Sequence, residues 1–173
     1  MGQKLTRRGL FEDTGPGGIV AWEIERKFLV NLALWSPPGS GTPFSQGYIP
    51  TAEGRTVRVR IEGTEGRLTI KGPAQGLTRA EFEYPIPVED ARQLLDTLCS
   101  QPLVEKVRFR VPVGRHTWEV DVFSGLNQGL VVAEIELVDE EEAFECPPWL
   151  GDEVSHDPRY ANSQLSKVPY TAW

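Results

Sequence analysis

Apolar and polar residues alternate along much of this chain, a pattern typical of β-strands whose two faces meet different surroundings. In the first such stretch, Ile19–Val30, the even positions are mostly apolar, whereas Glu23, Glu25 and Lys27 occupy odd positions. Glycine-containing turns separate the later stretches and predict antiparallel hairpins. The alternation predicts further strands at Phe44–Pro50, Thr56–Glu62, Arg67–Lys71, Arg79–Ile86, Leu103–Val113, His116–Phe123 and Leu130–Val138.

A few segments have helical character instead. In Val88–Ser100, apolar residues recur at three- and four-residue spacing, and acids occupy the first turn. A short surface helix is predicted over Asp139–Phe144, and a final helix around Arg159–Ser166. Strands that follow one another so closely can close into a barrel, which removes exposed edges. We therefore predict a mainly β (α+β) fold, an eight-stranded antiparallel β-barrel with flanking helices and a C-terminal helix.

Charged residues recur two apart on these strands, and residues i and i+2 share one face of a strand. If the charged faces pointed outward, the helices would have no apolar surface to cover, so the inward arrangement accounts for more of the sequence. Any one charged pair by itself is typical of a solvated strand face, and cross-strand salt bridges would also give this alternation, but its recurrence across seven strands favours a charged lumen. Beyond the first strand the charged positions are Arg58, Arg60, Lys71, Glu81, Glu83, Lys106, Arg108, Arg110, Glu119, Asp121, Glu134 and Glu136.

Strand faces of positive charge and strand faces of negative charge together indicate a binding site for a polyanion and its metal ions. Arginine offers planar, bidentate donors to phosphate oxygens, and lysine a compact charge. Like charges inside a barrel are costly without a counter-ion, and a linear chain of phosphates would supply one. The acids Glu23, Glu25, Glu134 and Glu136 could converge as hard oxygen ligands for Mg²⁺ or Mn²⁺, and no cluster of His or Cys favours a softer metal.

The length and composition of the chain limit its domain number, its partners and its location. At 173 residues the chain is most simply one domain, taken as residues 20–173, after a flexible extension over residues 1–19. A net charge of −7 argues against DNA as a partner, and no run approaches the roughly 20 apolar residues of a membrane span. Two cysteines without metal-ligand spacing fit a reducing compartment, so we predict a cytoplasmic protein. A homodimer is left open.

The segment Glu23-Ile-Glu-Arg-Lys-Phe-Leu-Val30 resembles the E-x-E-x-K signature of the CYTH superfamily, the triphosphate tunnel metalloenzymes. The resemblance covers residues 20 to about 168 and is closest to short bacterial members that act on inorganic triphosphate. The segments that follow in the family's order are Gln46-Gly-Tyr48, Val57-Arg-Val-Arg60, Leu68-Thr-Ile-Lys71, Glu81-Phe-Glu83, Glu105-Lys-Val-Arg108, Glu119-Val-Asp-Val-Phe123, Ala133-Glu-Ile-Glu136, Gly151-Asp-Glu-Val-Ser and Arg159-Tyr-Ala-Asn162.

The resemblance implies a tunnel that binds a triphosphate group and a divalent metal, with roles assigned by matching position. Tyr48 matches a tyrosine near the phosphates, whereas Ala161 stands where related tails commonly carry lysine. The implied phosphate ligands are Lys27, Arg58, Arg60, Lys71, Lys106 and Arg108; the metal ligands are Glu23, Glu25, Glu134 and Glu136; the catalytic residues are Glu25, Lys27, Tyr48 and Lys106; and the supporting acids are Glu81, Glu83, Glu119 and Asp121.

Divalent-metal-dependent hydrolysis of inorganic triphosphate to pyrophosphate and phosphate is therefore the predicted activity. Thiamine triphosphatase, nucleoside or RNA triphosphatase and class IV adenylyl cyclase chemistry occur on the same kind of fold and remain alternatives. Trp35 and Trp149 could stack on a base or thiazolium ring, but an exposed position or a place in the core explains them more simply. A module that binds polyphosphate without turnover is the alternative of another class, and it would have no need of paired acids on several strands.

Overall fold

The structure, a computed structural model, describes residues 19–52, 54–73 and 78–173, and it describes only the backbone of residues 19–23, 78 and 79. The predicted extension over residues 1–19 thus lies outside the described residues, apart from the backbone of Ile19, and its character stays a prediction. Within the described part of the chain, none of the helices combines the length and the apolar character needed to cross a membrane.

An antiparallel sheet closed on itself dominates the fold. The pairing order is β5-β4-β3-β2-β6-β7-β8-β1, and β1 also pairs with β5, so the ladders return to their start. The predicted eight-stranded barrel is thereby confirmed, and a short ninth strand pairs with the end of β1. The strands are β1 (Ile19–Val30), β2 (Thr42–Ile49), β3 (Thr56–Glu62), β4 (Glu65–Lys71), β5 (Thr78–Ile86), β6 (Val104–Val113), β7 (His116–Phe123), β8 (Val131–Glu136) and β9 (Leu150–Glu153).

Strand alternation separates two environments on the two sides of the barrel wall. On β7, Trp118 and Val120 are buried in an apolar cluster on the outer face, whereas Glu119 lines the lumen. The register places charged residues next to charged residues on neighbouring strands. Lys27 faces Glu134 across β1 and β8, and Glu134 faces Glu119 across β8 and β7. The charged faces therefore share the interior, as the alternation predicted.

The outer face of β1, β6, β7 and β8 is covered by a loop rather than by a helix. Phe144 packs edge-on against Trp118, with ring centroids 5.7 Å apart, and Trp149 does so at 5.8 Å. The predicted helix over Asp139–Phe144 was wrong, since only a turn forms there. Acidic side chains hold the turn, because Glu142 accepts from the Val138 N–H at 2.7 Å and Asp139 accepts from the Glu141 N–H at 3.0 Å.

The helix α1 (Val88–Thr97) covers a second outer face, over β3 and β4. Its buried residues Ala91 and Leu95 pack with Val59 of β3. Close approach requires glycine on the neighbouring strand β4, because a Cβ at Gly66 would lie 2.7 Å from a backbone oxygen of Ile86 and 3.0 Å from Ala91 Cβ. On this side of the barrel, the prediction that a helix covers the outward apolar faces of the strands is confirmed.

The C-terminal tail packs against an apolar cluster inside the barrel, and this cluster fills one end of the interior. Leu165 of the short helix α2 (Asn162–Leu165) is fully buried among Val104, Phe123 and Val132, whose strand positions share the face of the charged residues. The predicted helix over Arg159–Ser166 was too long, since Pro158–Tyr160 forms a 3₁₀ turn and Ala161 is extended, with φ −67° and ψ 133°. The break places Ala161 against the lumen.

Candidate functional site

A cavity of about 360 Å³ lies inside the barrel, above the apolar end. This volume is near the lower end of the range for small-molecule sites, about 300 to 1,000 Å³. Cations and carboxylates in equal number line it, from all eight strands of the closed barrel except β2. They are Lys27, Arg58, Arg60, Lys71, Lys106, Arg108 and Arg110, with Glu25, Glu62, Glu81, Glu83, Glu119, Glu134 and Glu136.

The structure brings the residues predicted for the site together in this one cavity. All six predicted phosphate ligands and Tyr48 line it, as do Glu25, Glu134 and Glu136 of the predicted metal ligands. Asp121 lies beneath the surface of the lumen, with no exposed area. The side chain of Glu23 lies outside the described residues, so its contribution stays a prediction.

One side of the lumen, which we call the paired wall, holds its cations on buried carboxylates. It comprises Lys106 and Arg108 of β6, Asp121 of β7 and Glu134 of β8. Arg108 donates from Nε and from one terminal nitrogen to the two oxygens of Asp121, each at 2.6 Å, and also reaches Glu134 Oε2 at 2.8 Å. Lys106 Nζ donates to the same Asp121 carboxylate. A single buried acid therefore serves two buried cations.

Lys27 extends this network to β1. Its Nζ lies 2.8 Å from Glu134 Oε1 and 3.2 Å from Glu25 Oε1. Burial alone would lower the pKa of Lys27, but the charges of Glu134 and Glu25 outweigh burial and raise it. Lys27 thus remains a cation at physiological pH and acts by charge rather than as a base.

The opposite side of the lumen, the arginine wall, comprises Arg58 and Arg60 of β3 with Glu81 and Glu83 of β5. Its ion pairs are longer: Arg58 lies 3.8 Å from Glu81 and 3.5 Å from Glu83, and Arg60 lies 3.2 Å from Glu83. Moreover, the Nε atoms of Arg58 and Arg60 are buried without a hydrogen-bond partner among the described residues. A buried N–H left unpaired is costly, and these two would bind an anionic oxygen.

Burial and neighbouring charges shift the pKa values of the lumen cations in both directions. Burial would lower the pKa of Arg108, but the charge and hydrogen bonds of Asp121 raise it well above its usual value. Burial and the neighbouring charge of Arg58 lower the pKa of Arg60. Burial likewise lowers the pKa of Lys106, where the attraction of Asp121 is opposed by Arg108. Lys106 therefore holds its proton less tightly than an ordinary lysine does.

The donor chemistry on β1 and β8 fits a hard divalent cation. Glu25 and Glu136 face each other in the register, and Glu134 lies two residues away on the same lumen side. Among the described residues no three acidic, histidine or cysteine side chains gather closely enough to hold a metal ion by themselves. Mg²⁺ commonly takes only one or two protein carboxylates and completes its shell with water and phosphate oxygens.

Sequence reasoning missed several contributors to the site. Glu62 lines the cavity and accepts from Arg110 at 2.8 Å; its position on the face of Arg58 and Arg60 could have identified it. Gln46 donates to the Tyr48 hydroxyl at 2.7 Å. Asn162 accepts from Lys106 at 3.5 Å, a contact that strand alternation cannot predict, since Asn162 belongs to the tail.

The two tryptophans considered for base stacking lie on the outer face of the barrel and not in the cavity. Trp35 packs against Phe109 on the outer face, with centroids 5.8 Å apart, and Trp149 belongs to the outer cluster. Neither lines the cavity. The packing interpretation is therefore correct for both, and the cavity wall presents Tyr48 as its aromatic residue among the described ones.

Nearly the whole chain is similar to known proteins. The CYTH domain matches residues 21–171, nearly the whole chain. The chain belongs to the CYTH family. The same membership follows from an inorganic triphosphatase of Acetivibrio thermocellus, which is 47% identical over 148 residues and is aligned over 86% of this chain and 95% of its own length.

Further proteins are similar to this chain in sequence and in fold. An inorganic triphosphatase of Nitrosomonas europaea is 38% identical over 151 residues, covering 83% of this chain and 96% of its own. The crystal structure of the inorganic triphosphatase NE1496 superposes with a TM-score of 0.60 at 35% identity, over 83% of this chain and 93% of that one. The PH1012 protein of Pyrococcus horikoshii, at 20% identity and a TM-score of 0.53 over 69% of this chain and 80% of that one, shares the fold.

Proposed function

We propose that this CYTH protein hydrolyses inorganic triphosphate to pyrophosphate and phosphate inside its barrel, in a reaction that depends on a divalent metal. The observation that carries the proposal is the cavity inside the barrel, where cations from opposite walls converge and the Nε atoms of Arg58 and Arg60 have no partner among the described residues. Relatives at 47% and 38% identity that are inorganic triphosphatases support the same activity.

The substrate is held by charge along its length. Arg58 and Arg60 bind phosphoryl oxygens from the arginine wall, since their long ion pairs and unpaired N–H groups are the easiest to redirect. Lys106 and Arg108 act from the paired wall, while Lys27 and Lys71 complete the set of six cations. Phosphoryl transfer is accelerated chiefly by such positioning and charge stabilisation, because the protein itself has little covalent chemistry to perform.

The triphosphatases of the CYTH family are metalloenzymes as a class, and we propose that Glu23, Glu25, Glu134 and Glu136 would hold Mg²⁺ or Mn²⁺ in this protein. When bound, the ion would neutralise charge on the phosphates and activate water. The supporting acids Glu81, Glu83, Glu119 and Asp121 all contact cations, which fits a role in orienting the basic side chains.

The residues that line the cavity can account for the bond that forms, the bond that breaks and the proton that is transferred. A water held by a carboxylate of the Glu25, Glu134 and Glu136 set attacks the terminal phosphorus, and the bond from that phosphorus to the bridging oxygen breaks. The carboxylate accepts the proton of the water. Lys106, whose pKa is lowered, and Tyr48 stabilise or protonate the departing pyrophosphate.

Phosphate release from inorganic triphosphate, ATP and thiamine triphosphate, each with Mg²⁺, Mn²⁺ or a chelator, tests the proposal. We expect rapid release from inorganic triphosphate, little from the two organic triphosphates, and none with chelator. Preference for ATP or for thiamine triphosphate would mean that the protein is a nucleoside or a thiamine triphosphatase instead. Tight binding of triphosphate without release would favour the binding module or, with cyclic nucleotide formation from ATP, the cyclase.

We further propose a cytoplasmic location, and the protein is either a monomer or a homodimer. Fractionation of the producing cell addresses the first. Light scattering of the purified protein at several concentrations addresses the second, because a dimer gives twice the 19.3 kDa mass of the chain.

A further inference from the structure

Phe44 of β2 stands apart from the rest of the apolar interior. Its side chain is only 3% exposed, yet among the buried apolar side chains of the described residues it alone belongs to none of the three apolar clusters. It faces Lys106 of β6 on one side and Glu62 of β3 on the other in the strand register. A buried phenyl ring outside every apolar cluster must be held by other neighbours.

Those neighbours are cations of the lumen. The ring centroid lies 5.2 Å from Arg108 Cζ, 5.4 Å from Arg60 Cζ and 5.7 Å from Lys106 Nζ. A cation within about 6 Å of an aromatic face is attracted by the ring quadrupole. Arg60 belongs to the arginine wall, and Arg108 and Lys106 belong to the paired wall. Phe44 is thus a point of contact shared by cations of both walls.

An aromatic ring suits this position better than a carboxylate would. Three like charges gathered around one point repel one another, and burial adds a desolvation cost. A further carboxylate could offset that cost, but it would also repel a polyanionic ligand. The ring attracts cations without carrying net charge, so it adds no further negative charge to the lumen that would repel the ligand.

We propose that Phe44 is a positioning residue that holds Arg60, Lys106 and Arg108 in the arrangement that binds triphosphate. The inference rests on the proposed function. Phe44 does not itself line the cavity, so it acts through the three cations and not by contact with substrate. Its contribution therefore belongs to substrate binding, and a change there should raise KM more than it lowers kcat.

Stepwise fluorination of the Phe44 ring tests the proposal without removing the side chain. One, two and three fluorine atoms withdraw electron density from the ring while changing its shape little, so they weaken the attraction for cations in graded steps. We expect the logarithm of KM, and of the calorimetric Kd for tripolyphosphate, to rise steadily with fluorine number, to about tenfold for the trifluoro ring. The kcat and the melting temperature should change little.

Phe109 provides the matched control. It lies on β6 beside Arg108 in sequence, but it packs in the outer cluster against Trp35. The same fluorination series there should leave KM and Kd unchanged, whereas Phe44→Leu should weaken binding at least as much as the trifluoro ring. A flat series at Phe44, or an equal slope at Phe109, would overturn the proposal.

The two proposals can fail separately. If the unmodified protein binds tripolyphosphate but does not hydrolyse it, the proposed function fails, and the dependence of Kd on fluorination still decides the role of Phe44. If the unmodified protein hydrolyses triphosphate while the series is flat, only the role of Phe44 fails. If tripolyphosphate does not bind at all, both are overturned.

Discussion

The two walls of the lumen carry the same kinds of residue and hold them differently. In the paired wall, Arg108 is bound by Asp121 at 2.6 Å and by Glu134 at 2.8 Å, and its pKa is raised by Asp121 against the effect of burial. In the arginine wall, the ion pairs of Arg58 and Arg60 are 3.2 to 3.8 Å long, and burial together with the charge of Arg58 lowers the pKa of Arg60.

This difference indicates that the two walls have different roles. A cation already satisfied by buried carboxylates has little to gain from phosphate, and removing one of those carboxylates leaves a buried charge unpaired. An arginine with long ion pairs and an unpaired N–H gains much from phosphate and loses little. We therefore expect the paired wall to matter chiefly for stability and the arginine wall for binding and turnover.

The largest expected effect is on the stability contributed by the paired wall. Asp121→Asn removes the charge that serves both Lys106 and Arg108, so we expect the free energy of unfolding to fall by about 3–5 kcal/mol. Urea unfolding measures it. The matched variant Glu83→Gln, in the arginine wall, should lose less than about 1 kcal/mol. Equal losses in the two variants would remove the distinction between the walls.

The next effect is catalytic. Arg58→Ala should lower kcat/KM for inorganic triphosphate by about 2–4 kcal/mol, roughly two to three powers of ten, because a donor aimed at the developing charge is lost. Its melting temperature should stay close to that of the unmodified protein. Arg92→Ala is the control, since Arg92 is exposed on α1, does not line the cavity and pairs only with Glu89 among the ion pairs of the described residues. Turnover at the unmodified rate in Arg58→Ala would exclude the role of this arginine.

A smaller effect concerns the competition between Glu83 and the substrate. Glu83 contacts both arginines of the arginine wall and would repel a polyanion, so Glu83→Gln should tighten tripolyphosphate binding by about 0.5–1 kcal/mol, or two- to fivefold in Kd. Calorimetric titration measures the change. Weaker binding would instead mean that Glu83 orients the arginines more than it competes for them.

The smallest effect is a pH dependence at Glu62, which joins Arg60 of the arginine wall to Arg110 of β6. Burial would raise the pKa of Glu62, but the hydrogen bond from Arg110 and the charges of Arg60 and Arg110 outweigh it and lower the pKa. Because the pKa is lower in the folded state, the stability it contributes is present above the unfolded value of about 4.3 and is lost as pH falls through the folded value.

Thermal unfolding between pH 7 and pH 3 tests this linkage. The unmodified protein should lose more stability over the acid range than Glu62→Gln does, by less than about 1 kcal/mol for a partly exposed pair. Parallel curves for the two proteins would show that Glu62 contributes no proton linkage.

Much of the barrel and of its lumen could be predicted from local sequence. Alternation at Arg58 and Arg60, or at Glu134 and Glu136, identifies a strand and assigns its charged side chains to one face, because side chains in a strand repeat every two residues. The tail and the 139–144 segment could not be predicted in this way. The tail helix is broken at Ala161, and the acids around Glu142 form only a turn, since apolar packing decided the first and hydrogen bonds from backbone N–H groups to acidic side chains decided the second.

The sequence by itself determined that this chain forms a closed antiparallel barrel of the CYTH family with charged residues on one face of its strands. Strand periodicity and the family's motifs are local properties, so they can be seen without coordinates. Only the tertiary structure decided which cations are satisfied by buried acids, which arginines keep an unpaired N–H, and that Phe44 lies among three cations. Those properties depend on distances between residues of different strands, which register and barrel closure set and which sequence spacing does not contain.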